Sequence, residues 1–331
     1  MFETISVLGG GAWGTALALA AARAGRKVVL WTRDTDHAEA MQRTRENAPR
    51  LPGIPLPETI RITASLKDAA DSARAILLAV PAQSLRGVTE ALSLVVKQGI
   101  PIIICAKGID QRSGEFMSEI VTDTIRGAMP GILSGPSFAV DVAKGLPTAI
   151  VLAAPLEPVA EALARALSSP AFRIYHSTDI RGVEIGGAAK NVLAIAAGIV
   201  EGRGLGDSAR AAITARGFAE LSRLARSYGA KPETLMGLSG LGDLVLTCAS
   251  RKSRNFAFGD DLGRGLSLSE AGGGKLAEGV HTARILVDMA RARSVDMPIA
   301  EAVADILAGR ISIQESIDLL LMRPLKTEYE T

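Results

Sequence analysis

Two rhythms of apolar residues divide the chain. Through the first half short runs recur: Ile5-Ser6-Val7-Leu8, Val28-Val29-Leu30-Trp31, Ala75-Ile76-Leu77-Leu78-Ala79-Val80, Ile100-Pro101-Ile102-Ile103-Ile104-Cys105, Ala149-Ile150-Val151-Leu152-Ala153 and Phe172-Arg173-Ile174-Tyr175. Short apolar runs bounded by Gly, Pro and charged residues read as strands, and the unbroken ones as parallel strands buried on both faces. Between the first two lies Trp13 to Ala24, alanine-rich, helical and stopped by a C-terminal cap at Gly25. Such alternation predicts an α/β protein with a doubly wound sheet. The stretch from Arg50 to Ile62, with Pro52, Gly53, Pro55 and Pro57, reads as a rigid irregular connection before a short strand, with no chemistry assigned.

Near Arg181 the strand-like runs end and helical spacing takes over. Gly186 to Val200 and Ala209 to Tyr228 are the longest helical candidates, and another helix runs from Pro298 to near Gly309. Ser312-Ile313-Gln314-Glu315 is a capping-box start for a last helix reaching Met322. The expected organisation is a sheet domain at 1–182 and an all-α domain at 183–331, with Lys326 to Thr331 as a frayed tail.

Composition narrows the classes of function. The 331 residues are 48% hydrophobic, enough to bury two cores, and 37 Lys+Arg nearly balance 35 Asp+Glu. The one basic tract is Arg251-Lys252-Ser253-Arg254, so no nucleic-acid partner is expected. Cys105 and Cys248 make neither a disulfide framework nor a metal-ligand spacing, and no metal is expected. Met1-Phe2-Glu3 lacks the positive start of a signal peptide, and the longest apolar run of the second half, Val192 to Val200, is nine residues. These features predict a cytoplasmic protein without stable membrane insertion.

The chemistry begins at Gly9-Gly10-Gly11-Ala12-Trp13-Gly14, between the first strand and the first helix. Gly9, Gly11 and Gly14 have G-x-G-x-x-G spacing, which serves a sharp turn, close backbone approach to a pyrophosphate, and tight helix–strand packing. This is a Rossmann-type dinucleotide fingerprint, and it points to hydride chemistry. After the second strand come Arg33 and Asp34. An acidic residue there holds ribose hydroxyls, whereas an Arg receives a 2′-phosphate. NADP(H) is favoured, with NAD(H) also compatible.

Reducing a ketone with a nicotinamide calls for an acidic group at the carbonyl oxygen, where negative charge appears as hydride arrives. His37, His176 and His281 lie in no motif that presents a histidine at a strand end. Lysine is the alternative. Lys190, with Asn191, interrupts the small-residue apolar segment Glu184 to Val192, where a charge needs a partner or a cleft. Asp243 stands amid glycines and aliphatics in Ser239 to Cys248, and a carboxylate near Lys190 would favour the ammonium form. Ser253-Arg254-Asn255 offers charge-assisted hydrogen bonds to a phosphate, or is an ordinary solvated loop. Lys107, in Ala106-Lys107-Gly108, and the loop Pro81-Ala82-Gln83-Ser84 follow strands, where α/β sheets bind ligands.

Taken in order, the glycine turn, Ala106-Lys107-Gly108, Gly135-Pro136-Ser137-Phe138-Ala139, Ala189-Lys190-Asn191, Gly240 to Cys248, Ser253-Arg254-Asn255 and Glu278-Gly279 resemble bacterial NAD(P)-dependent glycerol-3-phosphate dehydrogenases. The resemblance runs from the first strand to Arg323-Pro324-Leu325-Lys326. It implies interconversion of dihydroxyacetone phosphate and sn-glycerol 3-phosphate, the reductive direction supplying phospholipid synthesis. It also implies roles: Lys190 as proton donor and acceptor, supported by Asp243 and Thr247, and Lys107 touching both substrate and cofactor. Substrate contacts would come from Gly135, Ser137, Asn191, Asp243, Ser253, Arg254 and Asn255. Cofactor contacts would come from Gly9, Gly11, Ala12, Trp13, Gly14, Arg33, His37, Ala139, Arg254, Leu276 and Glu278. Leu276-Ala277 departs from a more valine-rich pattern before Glu278, which bears only on cofactor packing. Two other readings share features with this one: a lysine-dependent two-domain dehydrogenase of a 3-hydroxy acid, and an NADP(H) sensor without turnover. A homodimer is compatible with so apolar a helical domain.

Overall fold

The computed structural model describes residues 2–274, 277–324 and 327. The expected tail, apart from Thr327, and Leu276 lie outside the described residues. Two compact units form, one reaching to Asp110 and resuming over Glu115–Glu184, the other combining Gln111–Gly114 with the described residues from Ile185 onward. The short excursion joins the second unit because Gln111 Oε1 meets His281 Nδ1 at 3.0 Å and Gly114 lies against Ile285.

In the first unit β1 (Thr4–Leu8), β2 (Lys27–Trp31), β3 (Ile60–Thr63), β4 (Ala75–Leu78), β5 (Pro101–Ile104), β6 (Met129–Ser134), β7 (Thr148–Ala153) and β8 (Phe172–Ser177) make one sheet, ordered β3-β2-β1-β4-β5-β6-β7-β8. Successive strand residues enter opposite cores. Leu77 and Ile103 join the core that holds Leu17 and Leu163, while Ile76, Leu78, Ile102 and Ile104 join the one that holds Leu85, Ile120 and Val121. Both faces are apolar, hence the unbroken runs.

Two features depart from the sequence expectation. β6 has no counterpart in it, because Pro130 and Gly131 interrupt its apolar run; pairing on both sides, Ile103 with Gly131 and Leu133 with Leu152, makes the strand nonetheless. β7 runs antiparallel to β6, so the sheet is parallel-dominated rather than parallel throughout. An apolar run reports burial on both faces, and burial does not encode strand direction.

The helices of this unit are α1 (Ala12–Arg23), α2 (Thr35–Thr44), α3 (Leu66–Asp71), α4 (Leu85–Ser93), α5 (Met117–Thr124), α6 (Ala139–Ala143) and α7 (Glu157–Leu167). Strand order reverses between β1, whose chain continues outward to β2 and β3, and β4, which returns to β1's other side. Such a switch point opens a crevice beyond the carboxyl ends of the strands. The glycine turn leaves β1 at that place.

The second unit is helical throughout its described residues. It contains most of α8 (Ile180–Gly202), then α9 (Asp207–Ser227), α10 (Pro232–Met236), α11 (Asp243–Cys248), α12 (Arg254–Gly263), α13 (Glu278–Ala292), α14 (Pro298–Leu307) and α15 (Ile313–Leu321). The capping box at α15 forms as expected: Ser312 Oγ accepts from Glu315 N at 3.1 Å, and Glu315 Oε2 accepts from Ser312 N at 2.7 Å. By length and composition α8 could cross a membrane, but 94% of its most apolar window is buried in the protein. Its glycines explain how. A Cβ on Gly198 would stand 2.1 Å from Phe256 O, and one on Gly259 would stand 2.1 Å from Ile195 O. Gly202 and Gly263 repeat the fit one turn later, so the backbones of α8 and α12 touch.

Candidate active site

Each glycine of the turn meets a different demand. Gly9 has φ 134°, outside the range of L side chains, and its Cβ would lie 2.6 Å from Ala79 O at the end of β4. A Cβ on Gly14 would lie 1.9 Å from Gly9 O, so only glycine lets α1 press this close to the turn. At Gly11, by contrast, none of the described residues comes within 4 Å of a Cβ. Gly11 is also the N-cap of α1 and provides no side-chain acceptor, leaving the first-turn N–H groups for a ligand. Trp13 Nε1 is buried without an acceptor among the described residues. An open backbone face, uncapped N–H groups and an orphaned indole donor fit a dinucleotide pyrophosphate.

At the end of β2, Arg33 is exposed, while Asp34 is the N-cap of α2 and its Oδ1 accepts from His37 N at 3.0 Å. The His37 ring does not stand alone: its Nε2 lies 2.9 Å from Oδ1 of Asn47. Asn47 is fully buried, and its Nδ2 donates to Gly10 O at 3.0 Å and to Thr15 Oγ1 at 2.7 Å. Sequence reasoning missed Asn47, which lies just ahead of the proline-rich connection. It stands among charged neighbours, Arg45, Glu46 and Arg50, so nothing in the local sequence marks it as buried.

Beyond β5 and β6, Lys107, Gly135 and Ser137 converge. Gly135 O accepts from Lys107 Nζ at 3.2 Å and from Ser137 Oγ at 3.0 Å. Gly135 has φ 142°, and a Cβ there would lie 2.9 Å from Ile150 Cα. Ala139 opens α6 and packs against the core beneath α1. The Cys105 thiol is pushed up by burial, consistent with a packing residue.

In the second unit the buried charge finds its partner. Lys190 Nζ donates to Asp243 Oδ1 at 2.5 Å and to Thr247 Oγ1 at 2.8 Å, and the Thr247 hydroxyl donates to Asp243 O at 2.6 Å. Lys190, Asp243 and Thr247 are 6%, 1% and 3% exposed, so a charge pair replaces the water each group has lost. Local sequence makes this possible. Small residues around Lys190 let neighbouring backbone approach, and a Cβ on Gly186 would come 2.7 Å from Ser239 O, just before α11 carries Asp243 and Thr247. Burial pushes the neighbouring Cys248 thiol up to about 12, so it stays protonated and inert.

Asn191, Asn255 and Gly279 form a second buried knot. Asn255 Nδ2 donates to Asn191 Oδ1 at 2.9 Å, and Asn255 Oδ1 accepts from Gly279 N at 2.9 Å. The knot sets Glu278, first residue of α13, beside the start of α12. There Ser253 is the N-cap, its Oγ accepting from Phe256 N at 3.3 Å, and exposed Arg254 is the first helical residue. The sequence reads Ser253-Arg254-Asn255 as a phosphate grip or an ordinary solvated loop. In the structure the Asn255 amide bonds Asn191 and Gly279, and Arg254 stands exposed in the first turn of α12.

The chain matches the N-terminal model of NAD-dependent glycerol-3-phosphate dehydrogenase over residues 4–160 and the C-terminal model over residues 179–318. It is 60% identical to glycerol-3-phosphate dehydrogenase (NAD(P)+) of Bradyrhizobium sp. (strain ORS 278), across 99% of this chain and 98% of that one. The enzyme of the same name from Methylobacterium radiotolerans is 58% identical, across 98% of each. The crystal structure of glycerol-3-phosphate dehydrogenase from Coxiella burnetii superposes with TM-score 0.93 at 38% identity, covering 97% of this chain and 99% of that one. Neither a 3-hydroxy acid dehydrogenase nor a sensor is favoured by these relatives. The glycine turn, the buried lysine and the matched length agree: this chain belongs to the NAD-dependent glycerol-3-phosphate dehydrogenase family.

Proposed function

We propose that the protein interconverts dihydroxyacetone phosphate and sn-glycerol 3-phosphate with a nicotinamide dinucleotide, in the cytoplasm, the reductive direction supplying glycerol 3-phosphate for phospholipid synthesis. The carrying observation is the buried Lys190–Asp243–Thr247 constellation in a chain of this family. When bound, the nicotinamide supplies or accepts the hydride at the central carbon. The glycine turn, Trp13, Arg33, His37, Ala139 and Glu278 hold that cofactor, and Lys107 serves both cofactor and substrate.

Lys190 gives its proton to the substrate oxygen as negative charge builds there, and takes one back in the oxidative direction. Asp243 offsets the charge of the buried ammonium, and Thr247 limits where Nζ can swing, so the proton is presented from a fixed point. Lys107, Gly135 and Ser137 position the substrate. Arg254 and the N-terminus of α12 take its phosphate, with Ser253, Asn191 and Asn255 as further substrate contacts at that end. Binding energy is thus gathered at the phosphate and used at the carbonyl.

NADP(H) is the preferred cofactor on this reading, because exposed Arg33 follows β2 where a 2′-phosphate would lie. The test is kcat/KM for dihydroxyacetone phosphate with NADPH and with NADH, in the wild type and in Arg33→Ala. Turnover of dihydroxyacetone phosphate, with an NADPH preference that falls about tenfold or more in the variant, is expected from the loss of charge-assisted hydrogen bonds. No turnover of this ketone rejects the activity; an unchanged cofactor ratio rejects Arg33 as its cause.

A further inference from the structure

We propose that Asn47 is a positioning residue of the nicotinamide site, joining the pyrophosphate turn to the ribose end through one buried amide. The inference rests on the dehydrogenase reading above and concerns a residue outside the fingerprint.

Its three side-chain partners define it. Gly10 O can only accept, so the atom 3.0 Å from it is Asn47 Nδ2, and the same group meets Thr15 Oγ1 at 2.7 Å. Oδ1 then faces His37, and the 2.9 Å contact is a donation from His37 Nε2. Both amide donors and the carbonyl are engaged in a site with no solvent exposure, where each bond is hard to replace.

The geometry of a trans peptide gives this a consequence. Carbonyl and N–H point opposite ways across the Gly10–Gly11 bond, so drawing Gly10 O inward to Asn47 turns Gly11 N–H outward. At Gly11 itself no described atom lies within 4 Å of a Cβ, so the backbone there is open. The loop bearing Asn47 is itself braced, since Asn47 O accepts from Arg50 N at 3.1 Å and from Leu51 N at 2.7 Å. From its other end the amide holds His37, whose backbone N is bound to Asp34 next to Arg33. Asn47 thereby keeps the phosphate-facing N–H and the ribose-facing loop in one fixed relation.

The test is equilibrium binding of NADPH and of NADH to the full-length protein, by calorimetry, alongside kcat, KM and thermal midpoint. Asn47→Asp keeps the shape but sets an oxygen against Gly10 O; Kd for both nucleotides should rise about tenfold or more, with kcat at saturating NADPH and KM for dihydroxyacetone phosphate within about twofold. Thr15→Val removes one of the two Nδ2 acceptors, and a Kd rise of about threefold is expected. Should Asn47→Asp fail to fold, Thr15→Val decides. A lower thermal midpoint at wild-type Kd means a purely structural residue and overturns the proposal. Absence of nicotinamide binding by the wild-type chain overturns the dehydrogenase reading instead, and this link with it.

Discussion

The glycine turn and the lysine cluster solve opposite problems. At the turn, close approach comes from taking side chains away: glycines allow φ 134° at Gly9, a 1.9 Å would-be contact at Gly14 and an open face at Gly11. Around Lys190, charge is added to a place that disfavours it, with Asp243 at 2.5 Å and Thr247 at 2.8 Å in compensation. Backbone N–H groups suit an anion that must be held without being changed. A buried, paired ammonium suits a proton that must move. Binding and chemistry are thus distinguishable by how the protein builds them.

Substitutions can sharpen or break that distinction. The largest effect should come from Lys190→Met, which lowers kcat by about a thousandfold, within the range for a lost general acid, while NADPH Kd stays within about twofold. Near-normal turnover would take the proton away from Lys190. Next, Arg254→Ala should raise KM for dihydroxyacetone phosphate about thirtyfold, the value of a charge-assisted bond to phosphate, and change kcat much less. An unmoved KM would remove Arg254 from the phosphate site. On the turn, Gly14→Ala drives a Cβ at Gly9 O and should weaken NADPH binding about tenfold by overpacking, leaving kcat at saturation nearly intact. If kcat fell as far as in Lys190→Met, the two regions would not be separable.

The smallest effect is electrostatic. Glu220 on α9 accepts from Ile299 N at 2.8 Å and Ala300 N at 3.2 Å, capping α14. Burial pushes its carboxyl up to about 7 despite those bonds. With the folded value above the unfolded one of about 4.3, the folded state binds more protons between about pH 4.5 and 7, and stability declines as pH rises through that window by up to about 1.4 kcal/mol per pH unit. Glu184, buried and bonded to Ser118 N and Oγ at 2.8 Å, is pushed up to about 7 for the same reason and adds to the decline. Glu220→Gln should flatten the slope of urea midpoints against pH; an unchanged slope would remove Glu220 as a source.

Much of this was legible in the amino-acid order, and the exceptions are instructive. The apolar runs located β1, β2, β4, β5, β7 and β8, yet β6 escaped because Pro130 and Gly131 break its pattern. Ser312 and Glu315 announced α15 because both halves of a capping box lie within four residues. Lys190 could be singled out as misplaced in an apolar helix, but not measured against Asp243, 53 positions away. Asn47 was invisible, since its partner Gly10 is 37 positions away.

By itself the sequence determined what depends on neighbours along the chain: periodicity, caps, positive φ at glycine, and a fingerprint with its open first turn. Those are properties of backbone conformation, which a few adjacent residues decide. Tertiary structure alone decided the direction of β7, the distances from Lys190 to Asp243 and Thr247, the bond between Asn255 and Asn191, and the reach of Asn47 to the turn. Each of these depends on how closely separate elements can pack, and in the helical unit the glycines shared by α8 and α12 set that distance.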